Sequence, residues 1–136
     1  MKRRDFLALS AATLALPRAA LASATAYTPG LVDERLAAGE TVFLDFKASW
    51  CGTCKAQEKV INALKAEDPA YEANITFINV DWDDYAKDDL TRRLQIPRRS
   101  TLVVLRGDEE LGRVVAETSR DGIKALMDTA LKAAMA

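Results

Sequence analysis

The run Thr41-Val42-Phe43-Leu44-Asp45-Phe46 carries β-branched and aromatic side chains on both faces of the strand it predicts. Such a strand has to be covered on two sides, so the chain must build layers above and below a sheet. Residues 75–80 and 101–105 repeat the pattern. Between these runs the apolar spacing turns helical: Val60, Ile61 and Leu64 lie in a helix expected over 53–67 and closed by Pro69, and Leu90 and Leu94 in one over 88–94. Leu31, Val32, Leu36 and Ala37 predict a shorter helix that Gly39 ends. Asp81-Trp82-Asp83-Asp84 reads as an acidic turn, and Arg106-Gly107-Asp108-Glu109 as the turn of a hairpin whose second strand is 111–115. A last helix is expected from about Thr118, with Asp121 as capping partner and Ile123, Leu126, Met127, Ala130 and Leu131 on one face. A short extra strand is expected near Tyr27.

Strands alternating with helices imply a mainly parallel sheet covered on both faces, to which the closing hairpin adds an antiparallel edge. The expected fold class is α/β, a three-layer α/β/α arrangement around a mixed central sheet. At 136 residues, 49% of them hydrophobic, the chain is long enough for one domain with a real core and too short for two.

The first 26 residues differ from the rest. A basic start, Lys2-Arg3-Arg4, precedes an apolar stretch over 6–16, which Pro17 breaks before small-x-small sites ending at Ala22, Ala24 and Ala26. Eleven residues are well short of the roughly 20 needed to cross a bilayer, and the stretch has no polar face for an amphipathic helix. Residues 1–26 are therefore expected to be a signal peptide and 27–136 the folded domain, without a permanent membrane anchor. Arg3-Arg4-Asp5-Phe6-Leu7 resembles the twin-arginine export signal, which implies a bacterial periplasmic location. Four basic residues against one acidic residue in this segment leave a net −4 on the remainder, which offers no surface for nucleic acid.

The chain has no histidine, so acid and base work falls to carboxylates, lysines or thiols. Its two cysteines stand in Ala48-Ser49-Trp50-Cys51-Gly52-Thr53-Cys54-Lys55. As a structural staple, a bridge across two intervening residues gains little, because stabilisation grows with the loop closed. A zinc site would need ligands beyond two thiolates, and a copper(I) carrier would want methionines nearer than Met127 and Met135. The redox reading has a positive mechanism. Cys51 falls just before a helix start, where unpaired N–H groups and the helix dipole favour an anion, so its thiol should ionise easily and attack. Cys54, one turn along, would then resolve the mixed disulfide and release the partner. Gly52 lets the backbone turn and another chain approach, and Trp50 is an aromatic suited to a partner surface.

The stretch from Val42 through Phe43-Leu44-Asp45-Phe46-Lys47 to Trp50-Cys51-Gly52-Thr53-Cys54-Lys55 resembles the active-site strand and helix start of thioredoxin-like proteins, and the likeness spans nearly all of the chain after residue 26. The stretch from Asn79-Val80 to Thr101-Leu102-Val103 is also similar to the C-terminal domain of periplasmic thiol:disulfide interchange reductases. The resemblance implies that Cys51 attacks, Cys54 resolves and Asp45, buried below them, moves the resolving thiol's proton. A lone carboxylate in a strand buried on both sides should have a raised pKa, which suits that task. The resemblance also places Trp50, Gly52, Thr53, Arg98, Arg99, Ser100 and Thr101 on the substrate-binding rim. No cofactor beyond the Cys51–Cys54 disulfide and no metal are expected.

The departure is at Ile96-Pro97-Arg98-Arg99-Ser100-Thr101. Thioredoxins have a cis-proline directly before the threonine that opens this strand, and here Ser100 takes that place. A cis bond before a residue other than proline costs about 2.5–4 kcal/mol, so a trans Arg99-Ser100 bond and a reshaped loop are expected. Arg98 and Arg99 are expected near Cys51, where they would lower its pKa and select acidic partner segments.

The implied function is an exported thiol:disulfide oxidoreductase that reduces or isomerises disulfides of envelope proteins. A membrane partner would supply electrons, and the protein is expected to act as a monomer. The alternative is a non-catalytic, thiol-dependent carrier or holdase for unfolded envelope proteins or copper.

Overall fold

The computed structural model describes residues 24–136. The twin-arginine segment and the apolar stretch of the expected signal peptide lie outside the described residues. One five-stranded sheet runs in the order β1-β3-β2-β4-β5, made of β1 (Thr25–Ala26), β2 (Thr41–Lys47), β3 (Thr76–Asp81), β4 (Thr101–Arg106) and β5 (Glu109–Val115). β1 and β2 flank β3 in parallel, whereas β4 runs antiparallel to both β2 and β5. The sheet is mixed as expected, and its antiparallel half reaches one strand further inward than the hairpin alone. β1 begins before the expected domain boundary, and Tyr27 N–H continues its pairing by donating to the Asn79 carbonyl at 2.8 Å.

Period-two alternation along β2 sorts the core into two faces. Val42, Leu44 and Phe46 pack with Val32 of α1 (Leu31–Ala37), Leu90 of α5 (Asp89–Arg93), and Ile78 and Val103. Phe43 points the other way, toward Ile61 and Leu64 of α2 (Gly52–Glu67), Tyr71 of α3 (Ala70–Asn74), and Ile123 and Met127 of α6 (Arg120–Met135). Each fully buried side chain of this size stabilises the fold by about 1.5–3 kcal/mol. Asp45 shares the face of Phe43, so the one carboxylate in the strand points toward the helix that carries Cys54.

The helix ends depart from expectation in three places. Ser119, not Thr118, caps α6, its hydroxyl accepting from Gly122 N–H at 3.0 Å. Asp121 sits in the first turn, where its charge complements the helix dipole. The acidic stretch folds into a single helical turn, α4 (Trp82–Tyr85), because the Asp81 carboxylate accepts from Asp83 N–H at 2.9 Å and caps it. Pro69 ends α2 and also opens α3, its φ of −64° already helical.

Candidate active site

Two buried elements meet at one end of the sheet. β2 delivers Ala48, Ser49 and Trp50 to the N-terminus of α2, and Cys51 is the N-cap residue of that helix. Its Sγ accepts from Cys54 N–H at 3.1 Å, so an amide left without a carbonyl partner in the helix's first turn points at the sulfur. Cys51 and Cys54 are disulfide-bonded with Cα atoms 5.2 Å apart. Cys51 is 2% exposed and Cys54 fully buried.

The loop before β4 closes over the pair. Among the described residues there is no cis peptide bond, and Ser100 takes a left-handed conformation with φ 65°. That conformation is costly for a residue with a Cβ and persists only where its surroundings hold it. Three hydrogen bonds do so. Ser100 N–H donates to the Phe46 carbonyl at 2.6 Å, and its own carbonyl accepts from Ala116 N–H at 2.8 Å and from Gln57 Nε2 at 3.0 Å. The result aims the hydroxyl at the sulfurs, with Oγ 3.2 Å from Cys51 Sγ and 3.1 Å from Cys54 Sγ.

Arg99 lies with its guanidinium 4.5 Å from the centre of the Trp50 ring, and Arg98 folds back so that its Nε donates to the Arg99 carbonyl at 2.9 Å. Both arginines are half-buried, and the stacking places Arg99 against the residue next to Cys51 in sequence. Trp50 is 56% exposed and is held by Nε1 donating to Asp83 at 2.9 Å. Gly52 is exposed, and a Cβ added there would meet nothing within 4 Å among the described residues, which leaves its backbone open to approach. Thr53 is half-buried beside it. Thr101 is fully buried, its hydroxyl donating to the Arg98 carbonyl at 2.6 Å, so it braces the loop from inside and presents no surface to a partner.

Behind the sulfurs, Asp45 is 5% exposed, and its Oδ1 has no hydrogen-bond partner among the described residues. Burial drives its pKa up from 3.8 to about 7; Lys47 and Lys65 pull it down and Glu58 pushes it up, each by less than burial does. The carboxyl borders a cavity of about 120 Å³ lined by Phe43, Lys47, Glu58, Ile61 and Lys65, which is room for water. Cys54 borders an adjoining hollow of about 450 Å³. Lys47, Glu58 and Asn79 line both, with Lys47 Nζ 3.0 Å from Glu58. Polar side chains thus line both the hollow beside Cys54 and the cavity beside Asp45.

Sequence reasoning missed Gln57 and Asp83 as members of the site. The signal for Gln57 was present: Cys54, Gln57, Ile61 and Leu64 recur at helical spacing on the buried face of α2, and a buried amide on an apolar stripe needs partners. Its Nε2 donates to the carbonyls of Ser100 and Glu117, at 3.0 and 2.9 Å, while its Oε1 has no hydrogen-bond partner among the described residues.

The sequence matches the family profile described as thioredoxin over residues 25–129. Thioredoxin H2-1 of Oryza sativa subsp. japonica is 33% identical over 88 residues, 65% of this chain and 59% of that protein. The chain thus covers less than two thirds of that relative's length. The crystal structure of Trxlp from Edwardsiella tarda superposes with a TM-score of 0.64 at 31% identity, covering 78% of this chain and 96% of that one. The thioredoxin of Malassezia sympodialis gives 0.68 at 20% identity over 85% and 99% of the two chains, a likeness of fold.

Proposed function

Because the chain belongs to the thioredoxin family, we propose that it is a thiol:disulfide oxidoreductase that is exported and reduces or isomerises disulfides of envelope proteins. The observation that carries this is the seat of Cys51: its sulfur caps α2 and receives the Cys54 N–H at 3.1 Å, with the second thiol one turn behind. Positive backbone polarity at that point steadies the thiolate that does the chemistry.

In the reducing direction the Cys51 thiolate bonds to one sulfur of a substrate disulfide, and the other substrate sulfur leaves as a thiolate. Cys54 gives up its proton to Asp45 and its sulfur attacks Cys51 Sγ, breaking the mixed disulfide. Two electrons have then passed from the Cys51–Cys54 pair to the substrate, which leaves with both sulfurs reduced. A membrane partner that reduces the pair again would complete the cycle, and no organic cofactor or metal takes part. Trp50, Gly52 and Thr53 form one bank of the partner surface and Arg98 and Arg99 the other, where their charge favours acidic segments.

The test is insulin reduction with dithiothreitol as electron source. The wild-type chain is expected to turn over many times, and a binder that holds one thiol partner per chain would not. In the same assay with a disulfide flanked by acidic residues, Arg98→Ala with Arg99→Ala should raise KM and leave kcat unchanged; an unchanged KM removes the arginines from the binding surface. Export rests on Arg3-Arg4-Asp5-Phe6-Leu7. Replacing both arginines with lysine should leave the chain in the cytoplasm of a bacterial host, and continued delivery to the periplasm overturns the twin-arginine route.

A further inference from the structure

Among the described residues Ser100 is the one side chain that hydrogen-bonds to both sulfurs, and its hydroxyl sits almost evenly between them, 3.2 Å from Cys51 Sγ and 3.1 Å from Cys54 Sγ. A hydroxyl has one proton to donate and two lone pairs with which to accept. In the disulfide neither sulfur carries a proton. Ser100 can then donate to only one of them, and its other contact sets a lone pair against sulfur. In the reduced pair both contacts become hydrogen bonds at once: the hydroxyl donates to the Cys51 thiolate and accepts from the Cys54 S–H. The donation to a charged sulfur is the stronger, because it is charge-assisted and closed to water, Ser100 being fully buried.

The geometry points to Ser100 as a catalytic residue that sets the potential of the couple, its hydroxyl holding Cys51 as a thiolate and so favouring the reduced state over the disulfide. This inference rests on the thiol exchange proposed above. It means that Cys51 has two donors, Cys54 N–H from the helix and Ser100 Oγ–H from the loop. The backbone of Ser100 is built for the purpose. Its left-handed φ of 65° is held at both ends, by Phe46 on β2 and by Ala116 and Gln57 on either side of its carbonyl. Gln57 is a positioning residue: its amide donates to backbone carbonyls and ties that of Ser100 to α2, the helix that carries the thiols. Because stabilising the dithiol state makes a disulfide easier to reduce, the sign is fixed. Ser100 moves the couple away from a strong reductant and toward the range in which disulfides are made and broken with equal ease.

Ser100→Ala and Ser100→Gly both delete the hydroxyl, but only glycine is at ease at φ 65°. Loss of oxygen and relief of backbone strain are thereby separated. In both variants the Cys51 thiol, titrated by thiolate absorbance, is expected to ionise about one pH unit higher. The equilibrium with glutathione is expected to shift about tenfold toward the protein disulfide, or about 30 mV more reducing. A titration and an equilibrium constant that match wild type in Ser100→Gly overturn the role, as does a shift seen in Ser100→Ala alone, which would belong to strain. Insulin reduction by the wild-type chain is read alongside. If wild type turns over and the variants do not shift, only the role of Ser100 is lost; if wild type is inert, it is the oxidoreductase reading that fails.

Discussion

Cys54→Ser is expected to end multiple turnover in insulin reduction, with a loss of about a thousandfold or more, and yet to leave the chain able to capture one equivalent of substrate as a stable mixed disulfide. Cys51→Ser should lose both properties. The asymmetry follows from where the two sulfurs sit. Cys51 caps the helix beside the exposed Trp50 and Gly52 and receives the Cys54 N–H, so it has both the anion stabilisation and the neighbourhood of a partner surface. Cys54 lies one turn inside α2 with no exposed surface, where the nearest sulfur it can attack is Cys51. Non-reducing electrophoresis with insulin checks the adduct directly. Capture by Cys51→Ser, and none by Cys54→Ser, would exchange the two roles.

The parts of this site that follow from local pattern are legible in the sequence alone. β2 is apolar on both faces, so it had to be central, and Asp45, the one carboxylate in the strand and buried there, marks itself as a functional group. Gly39 ends α1 with φ 87°, where a residue with a side chain would be strained. The cysteine at the helix start was legible because strand, turn and helix signals converge there.

What was not legible depends on tertiary contacts. Ser100 could be seen to stand where a proline was expected, and the trans bond follows from its being a serine. The direction of its hydroxyl does not, because it is fixed by a positive φ that Phe46 on β2, Gln57 on α2 and Ala116 just after β5 impose together. Thr101 was placed on the binding rim by motif position, but β4 enters the sheet there and turns its hydroxyl back into the loop. The run from Asp81 to Asp84 was read as a turn because acidic residues outside a periodic stretch carry no helical signal. A single capping bond was enough to fold it.

The largest pH effect is expected at Asp45. Burial raises its pKa in the folded chain from 3.8 to about 7, so between those values the folded chain holds a proton that the unfolded chain has released. Stability therefore falls as pH rises from about 4 to about 7 and is level above, and the full difference is about 4 kcal/mol. Asp45→Asn has no proton to release, so urea titrations should find the variant gaining on wild type across that interval, with the gain complete by pH 8 and absent at pH 4. The same ionisation is expected to govern catalysis. Above pH 7 the carboxylate can take the Cys54 proton along the hollows shared by Lys47, Glu58 and Asn79; below it the carboxyl is already protonated and cannot. The rate of release from a preformed mixed disulfide should rise through pH 7 in wild type. In Asp45→Asn it should lose that inflection and fall about a hundredfold at pH 8. Stability and rate are thus opposed at one atom: the burial that destabilises the charged carboxylate is what makes it a base near neutrality. A variant that is stabilised at pH 8 but resolves mixed disulfides at the wild-type rate would break that link and leave Asp45 as a structural liability with no part in proton transfer.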